Sequence, residues 1–255
     1  MTSTIALAGK GGTGKTTIAA LIIGELARSG GSPLLAIDAD PSSNLHLALG
    51  LPMPTTVGEI RESMSEAAVA GHLGVAISRH DHLTHEIFMA LEEGEQVDLL
   101  AMGRPEGQGC YCAVNHLLRQ VLDDLGGSYR YVVVDNEAGM EHISRRTTKG
   151  VDLLLIVSDP TMRGLQAATA IKELADDVDV EVRRMGLVLN RVQGPLAPPL
   201  GAAVEATGLE LIAQIPADEQ VNELDAFGKP LLQLNGDSPA RKAVQSIVQE
   251  ILTNT

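Results

Sequence analysis

Gly9-Lys10-Gly11-Gly12-Thr13-Gly14-Lys15-Thr16-Thr17 is the stretch from which the fold can be read. It matches the spacing G-x-x-x-x-G-K-[ST] and carries a second lysine, Lys10, inside the loop. Glycines let such a backbone turn so that its N–H groups point inward at phosphate oxygens. Lys15 is then placed to reach the β- and γ-phosphates, and the Thr16 hydroxyl to hold Mg²⁺. The apolar run Ile5-Ala6-Leu7-Ala8 reads as a strand ending at the loop. Ile18, Leu21, Ile22 and Leu26 follow at helical spacing. A phosphate bound here sits at a helix N-terminus, where free N–H groups and the helix dipole favour anions.

Outward from this loop, short apolar strands alternate with helical patterns. Pro33–Asp38, Val97–Met102, Tyr131–Asp135, Leu153–Ser158, Met185–Asn190 and Leu209–Ile215 read as strands. Val114–Leu125 and Met162–Ala175 read as helices. Such alternation predicts an α/β fold: a doubly wound, mostly parallel sheet with helices on both faces, within a single domain spanning 1–255. The polar stretch Pro52–Gln96 reads as helical excursions between two strands, and Gly194–Gly201 as a loop. A last helix is expected from Ala240, with Val244, Ile247, Val248, Ile251 and Leu252 on one face and Ser238-Pro239 as its cap.

Composition narrows the function. Among 255 residues, 44% are hydrophobic but only 2% aromatic, so the core is built from Ala, Val, Ile and Leu. A formal net charge of −14 argues against nucleic acid or an anionic membrane as partner, since both need a basic surface. No basic, apolar leader opens the sequence, and no apolar run approaches the roughly 20 residues that span a bilayer. Cytoplasmic residence is the expectation.

In an open α/β sheet, ligands bind at the carboxyl ends of the strands. Ile37-Asp38-Ala39-Asp40-Pro41 and Val133-Val134-Asp135 each end a strand in acid there. Asp135 fits a carboxylate supporting Mg²⁺ through its waters, with Asp38 as a second candidate or, alternatively, a turn cap. Asp40, just past its strand, is placed to orient an attacking water. Gly139 could let the backbone approach the γ-phosphate.

Lys10, Asp38-Ala39-Asp40-Pro41, Asp135 and Asn190-Arg191 together resemble the deviant-Walker ATPases, a group including MinD, ParA, the nitrogenase iron protein and metal-centre maturation factors. The resemblance covers nearly the whole chain. It implies ATP/ADP and Mg²⁺ as cofactors. It also implies a homodimer in which Lys10 reaches across to the partner's nucleotide, with Lys10, Lys15 and Asp40 catalytic. Asn190 would read adenine, and Leu189-Asn190-Arg191 and Ile215-Pro216 would line the base pocket. Asn136-Glu137-Ala138-Gly139 departs from the Thr-Pro-Pro-Gly common after the aspartate of that family.

The only cysteines are Cys110 and Cys112. Two thiolates are too few for a closed tetrahedral site, but a two-fold axis brings four to one Ni²⁺ or Zn²⁺. A redox pair and two buried small side chains are the alternatives. The strings Met102–Cys112 and Asp135–His142 resemble the CooC-type branch. That resemblance implies ATP-dependent nickel delivery to carbon monoxide dehydrogenase or acetyl-CoA synthase, with one metal held by paired C-x-C motifs in a dimer. A spatial organiser of the MinD or ParA kind and an iron–sulfur reductase are the competing readings. His80, His82 and His85 read as a solvated polar loop rather than a metal store.

Overall fold

The computed structural model describes residues 2–69, 79–103, 126–137, 150–177 and 181–254. Its centre is β1 (Ser3–Ala8), leading through the glycine-rich loop into α1 (Lys15–Arg28). The chain continues through β2 (Leu34–Asp38), α2 (Leu45–Leu49), α3 (Val57–Val69), α4 (Arg79–Met89), β3 (Glu92–Glu93) and β4 (Val97–Ala101). Then come β5 (Tyr131–Asp135), β6 (Leu153–Ser158), α5 (Met162–Asp177), β7 (Met185–Val192) and α6 (Pro198–Ala206). The chain closes with β8 (Glu210–Pro216), α7 (Glu219–Ala226) and α8 (Pro239–Asn254).

These strands form one sheet in the order β3-β4-β2-β5-β1-β6-β7-β8, parallel except for β3 against β4. Alternation along β1 assigns its side chains to two cores. Ile5 and Leu7 pack with Ile18 and Ile22 of α1 and with Val244 and Ile247 of α8. Ala6 and Ala8 face the other way, with Leu165 and Ala168 of α5 and Val204 of α6. The doubly wound fold is therefore as expected, and β1 lies beside the point where the strand order reverses.

The predicted last helix forms as α8, whose buried Val244, Ile247, Val248 and Ile251 each contribute about 1.5–3 kcal/mol. Ser238 caps it, its hydroxyl accepting the Arg241 N–H at 3.1 Å. Glu25, buried on α1, ties the two helices by accepting from Arg241 Nε at 2.6 Å and Gln245 Nε2 at 3.1 Å.

Two readings are corrected. The histidine stretch is helical rather than a loop: His80, His82 and His85 fall on α4, where Ile87 and then Ala90 join the core. Gly194–Gly201 is not loop throughout, because Pro198 opens α6, where its missing N–H costs nothing. The predicted helix Val114–Leu125 lies outside the described residues.

Tyr131 is fully buried, and its hydroxyl meets no partner among the described residues. A desolvated, unpaired hydroxyl is a net cost. Tyr131→Phe is therefore expected to raise stability by about 1 kcal/mol in urea unfolding. A loss of stability would mean that the hydroxyl has a partner.

Candidate functional site: a phosphate loop at the sheet's carboxyl edge

Strained turns that only glycine takes easily shape the loop. Gly12 and Gly14 have φ of 81° and 87°. A Cβ on Gly9 would lie 2.3 Å from the Val157 carbonyl oxygen, so the loop approaches β6 closer than any side chain permits. Thr13 closes the turn, its N–H and hydroxyl both donating to the Lys10 carbonyl, at 3.4 and 2.9 Å. Lys15 is 7% exposed and its ammonium donates to the same carbonyl at 3.4 Å. The Lys10 side chain, by contrast, is exposed. No side chain caps α1, whose first turn carries no acid. The N-terminal N–H groups and the dipole are thus presented to an anion from outside the helix.

Register partners Asp38 and Asp135 end the adjacent strands β2 and β5 at this edge. Asp135 Oδ2 accepts the Thr16 hydroxyl at 2.5 Å, while its Oδ1 is buried with no partner among the described residues. Burial pushes its carboxyl up to about 6, against the opposing pull of Thr16 and Lys15. An orphaned, desolvated carboxylate oxygen beside a threonine hydroxyl fits Mg²⁺, a hard cation served by oxygen ligands. Asp38 is placed differently. Its oxygens accept the Leu45 N–H at 2.8 Å and the Asp40 N–H at 3.1 Å, the arrangement of a turn cap. Burial chiefly, helped by the charges of Asp135 and Asp40, raises it to about 7. Asp40 is only half-buried, and its Oδ1 accepts the Ser42 N–H at 2.8 Å.

Both raised carboxyls carry a pH signature. Below about pH 4 folded and unfolded chains alike are protonated. Between about pH 4 and 7 the unfolded chain releases protons that the folded chain keeps, so stability falls as pH rises. The melting temperature of nucleotide-free protein is therefore expected to drop from about pH 5 to pH 8, less steeply in Asp135→Asn. A rising or flat profile in the parent protein would contradict this.

Across the loop, β7 brings Asn190, 5% exposed, whose Nδ2 donates to the Thr13 carbonyl at 2.8 Å. Arg191 donates to the Gly12 carbonyl at 3.1 Å. A cleft opens beside them, lined by Thr17, Leu21, Asn190, Arg191, Ile215 and Pro216 among others. The loop and Asn190, Arg191 and Pro216, which lie far apart in sequence, thus meet around one site.

Two site residues escaped the sequence reading. Asn136, the departure after Asp135, is buried and donates from Nδ2 to the Leu7 carbonyl at 2.7 Å, locking the ends of β5 and β1 together. Asp218, at the cleft, caps two helices. Its Oδ1 accepts the Gln220 N–H at 2.9 Å, and its Oδ2 accepts the Ser238 hydroxyl at 2.6 Å and the Ala240 N–H at 3.2 Å. A helix-start signal could have found it, since Asp218 directly precedes Glu219 and the α7 pattern.

Cys110, Cys112 and Gly139 lie outside the described residues. Among the described residues no group of three or more His, Cys, Asp or Glu could hold a metal ion. No helix there is long and apolar enough to cross a membrane.

Residues 4–231 match the family described as the CobQ/CobB/MinD/ParA nucleotide binding domain. The chain belongs to that family. As a CobQ/CobB/MinD/ParA-family protein it is a P-loop ATPase that uses ATP and Mg²⁺. It is 40% identical over 248 residues to an uncharacterized ATP-binding protein of Methanocaldococcus jannaschii, covering 97% of this chain and 98% of that one. It is 32% identical over 237 residues to the carbon monoxide dehydrogenase accessory protein CooC of Rhodospirillum rubrum, covering 88% and 87%. Among solved structures, the cell division ATPase MinD of Pyrococcus furiosus superposes with a TM-score of 0.73 at 24% identity, over 100% of both chains.

Proposed function

We propose that this ATPase is a nucleotide-operated switch that pairs with a second copy of itself when ATP is bound. The carrying observation is the division of labour between two lysines four residues of loop apart. Lys15 is drawn into its own loop, while Lys10 remains exposed at the lip, free to meet a partner's nucleotide. Lys15 supplies charge to the β- and γ-phosphates. Thr16 and Asp135 would hold Mg²⁺, which when bound neutralises developing charge on those phosphates. Asp40 orients the attacking water, and Asn190 with the cleft beside Pro216 takes the base. In Lys10→Ala, ATP-dependent dimerisation in sedimentation is expected to vanish while monomeric ATP binding persists. Equal dimerisation in parent and variant would sink the switch.

For the output of the switch, membership of the MinD/ParA family favours an ATP-gated binding module like the spatial organisers. A second reading, metal delivery to a nickel enzyme, is favoured by the 32% identity with CooC and by the Cys110-Tyr111-Cys112 string. The two differ in a direct assay. Metal delivery predicts one Ni²⁺ or Zn²⁺ per dimer, lost when Cys110 and Cys112 are both changed to Ala. The organiser predicts no stoichiometric metal and ATP-dependent recruitment to a partner or surface, measured by cosedimentation.

A further inference from the structure

Arg191 stands out in the backbone. Its φ is 59°, one of two positive values at non-glycine residues among those described. L side chains rarely adopt this left-handed conformation, and where one does so near a site, the surrounding structure enforces it. The position coincides with an irregularity in the sheet. Leu189 pairs with Gln214 and Val192 with Pro216, so β7 carries one extra residue against β8 across this interval. That is a β-bulge, a device that re-aims side chains beside functional sites.

Here the re-aiming has a clear result. In a regular strand, Asn190 and Arg191 would point to opposite faces. Instead both donate into the same loop, to the carbonyls of Thr13 and Gly12 in turn. In a planar trans peptide the carbonyl and the following N–H point in opposite directions. Pinning the Gly12 and Thr13 carbonyls on the β7 side therefore turns the N–H groups of Thr13 and Gly14 the other way, that of Thr13 onto the Lys10 carbonyl that closes the turn. The fit is close: a Cβ on Gly14 would meet Asn190 Nδ2 at 2.4 Å and Arg191 Nη2 at 3.9 Å.

We infer that Arg191 is a positioning residue for the phosphate loop: held by the bulge, its guanidinium clamps the Gly12 carbonyl and so fixes the turn that the Thr13 N–H closes onto the Lys10 carbonyl, setting the loop's shape before nucleotide arrives. Arg191 also borders the cleft, so the role is additional to lining the base pocket: the carbonyl it grips belongs to the phosphate end. It rests on the reading of this loop as the ATP site, and on neither the dimer nor a metal.

The test uses Arg191→Gly, which removes the guanidinium while giving the backbone a residue at ease with φ of 59°. Binding of ATP and of inorganic tripolyphosphate, which has no base, is measured by calorimetry, alongside melting temperature and steady-state kinetics. The variant is expected to bind both ligands about tenfold more weakly, the scale of one charge-assisted hydrogen bond. Its melting temperature should not fall, and KM should rise far more than kcat falls. Arg191→Lys, with a cation but no planar fork, should recover only part of the affinity. Loss of ATP affinity with unchanged tripolyphosphate affinity would assign Arg191 to the base and overturn the clamp. So would unchanged binding of both ligands, or a melting temperature that falls in step with affinity. If the parent protein itself bound no ATP, the nucleotide-site reading would fail first, an outcome separate from all of these.

Discussion

Asp40→Ala is expected to slow ATP hydrolysis by roughly 10²–10⁴-fold, the span attributed to a positioned proton acceptor, while ATP still binds. The geometry separates the two properties. Asp40 touches neither the glycine loop nor the cleft in any hydrogen bond described. Its Oδ1 is steadied by the Ser42 N–H, on a loop that the Asp38 carboxylate fastens at Asp40 and Leu45. Truncation removes the carboxylate proposed to orient water and leaves that anchorage in place, since the Asp40 N–H still donates to Asp38. Steady-state turnover and calorimetric ATP binding measured on the same preparation decide it. On the proposed switch, the variant also accumulates as an ATP-bound dimer. Turnover within about threefold of the parent would remove Asp40 from the mechanism.

Asp218→Ala is expected to cost about 3 kcal/mol, the largest stability loss of the substitutions considered. The carboxylate is nearly buried and accepts three hydrogen bonds, from Gln220, Ser238 and Ala240, so one side chain starts both α7 and α8. Burial alone would raise its pKa, but the bonds from Ser238, Ala240 and Gln220 outweigh burial and lower it. Its stabilisation is therefore present above the unfolded value near 4 and is lost as pH falls below that value. Across the window where Asp38 and Asp135 destabilise, Asp218 is already fully charged and leaves their slope undisturbed. A loss of 3 kcal/mol in a chain of this size lowers the melting temperature by about 6–12 °C. Asp218 also lines the cleft proposed to take the base, so weaker ATP binding is expected to accompany the loss. A shift under about 2 °C would show that the two helices start without it.

Much of this fold was legible because its strongest signals are local. The bounds of β5 and β6 coincide with the apolar runs that predict them, since strands buried on both faces need no polar residue until they end. The helical reading of Pro52–Gln96 also held, in α3 and α4. The start of α3 is written in the sequence. Thr56 and Glu59 form a capping box, the Glu59 carboxylate accepting the Thr56 N–H at 2.7 Å while the Thr56 hydroxyl accepts the Glu59 N–H at 3.2 Å.

What stayed hidden depends on partners distant in the chain. The two residues of β3 have no pattern of their own and exist only through pairing with β4. Arg191 borders the cleft, but its grip on the Gly12 carbonyl stayed hidden, because a bulge leaves no trace in strand periodicity. Asn136 looked like a deviation from a motif, yet it satisfies a carbonyl of the central strand from the far side of a crossover. Candidate ligands joined by spacing alone, such as His80 and His82, were read as loop because a weakly apolar helix resembles one.

The pairing of β1 has a consequence for how the molecule comes into being. Ser3 aligns with Tyr131, and Ile5 with Leu153, so β1 has no neighbouring strand until synthesis has run on to β5 and β6. At about 5–20 residues per second, that strand and its glycine loop wait for many seconds without strand partners. The phosphate loop takes its shape from Val157 and Asn190 as well, so no early fragment can hold nucleotide. Competence for ATP is thus expected only once synthesis has run as far as β7.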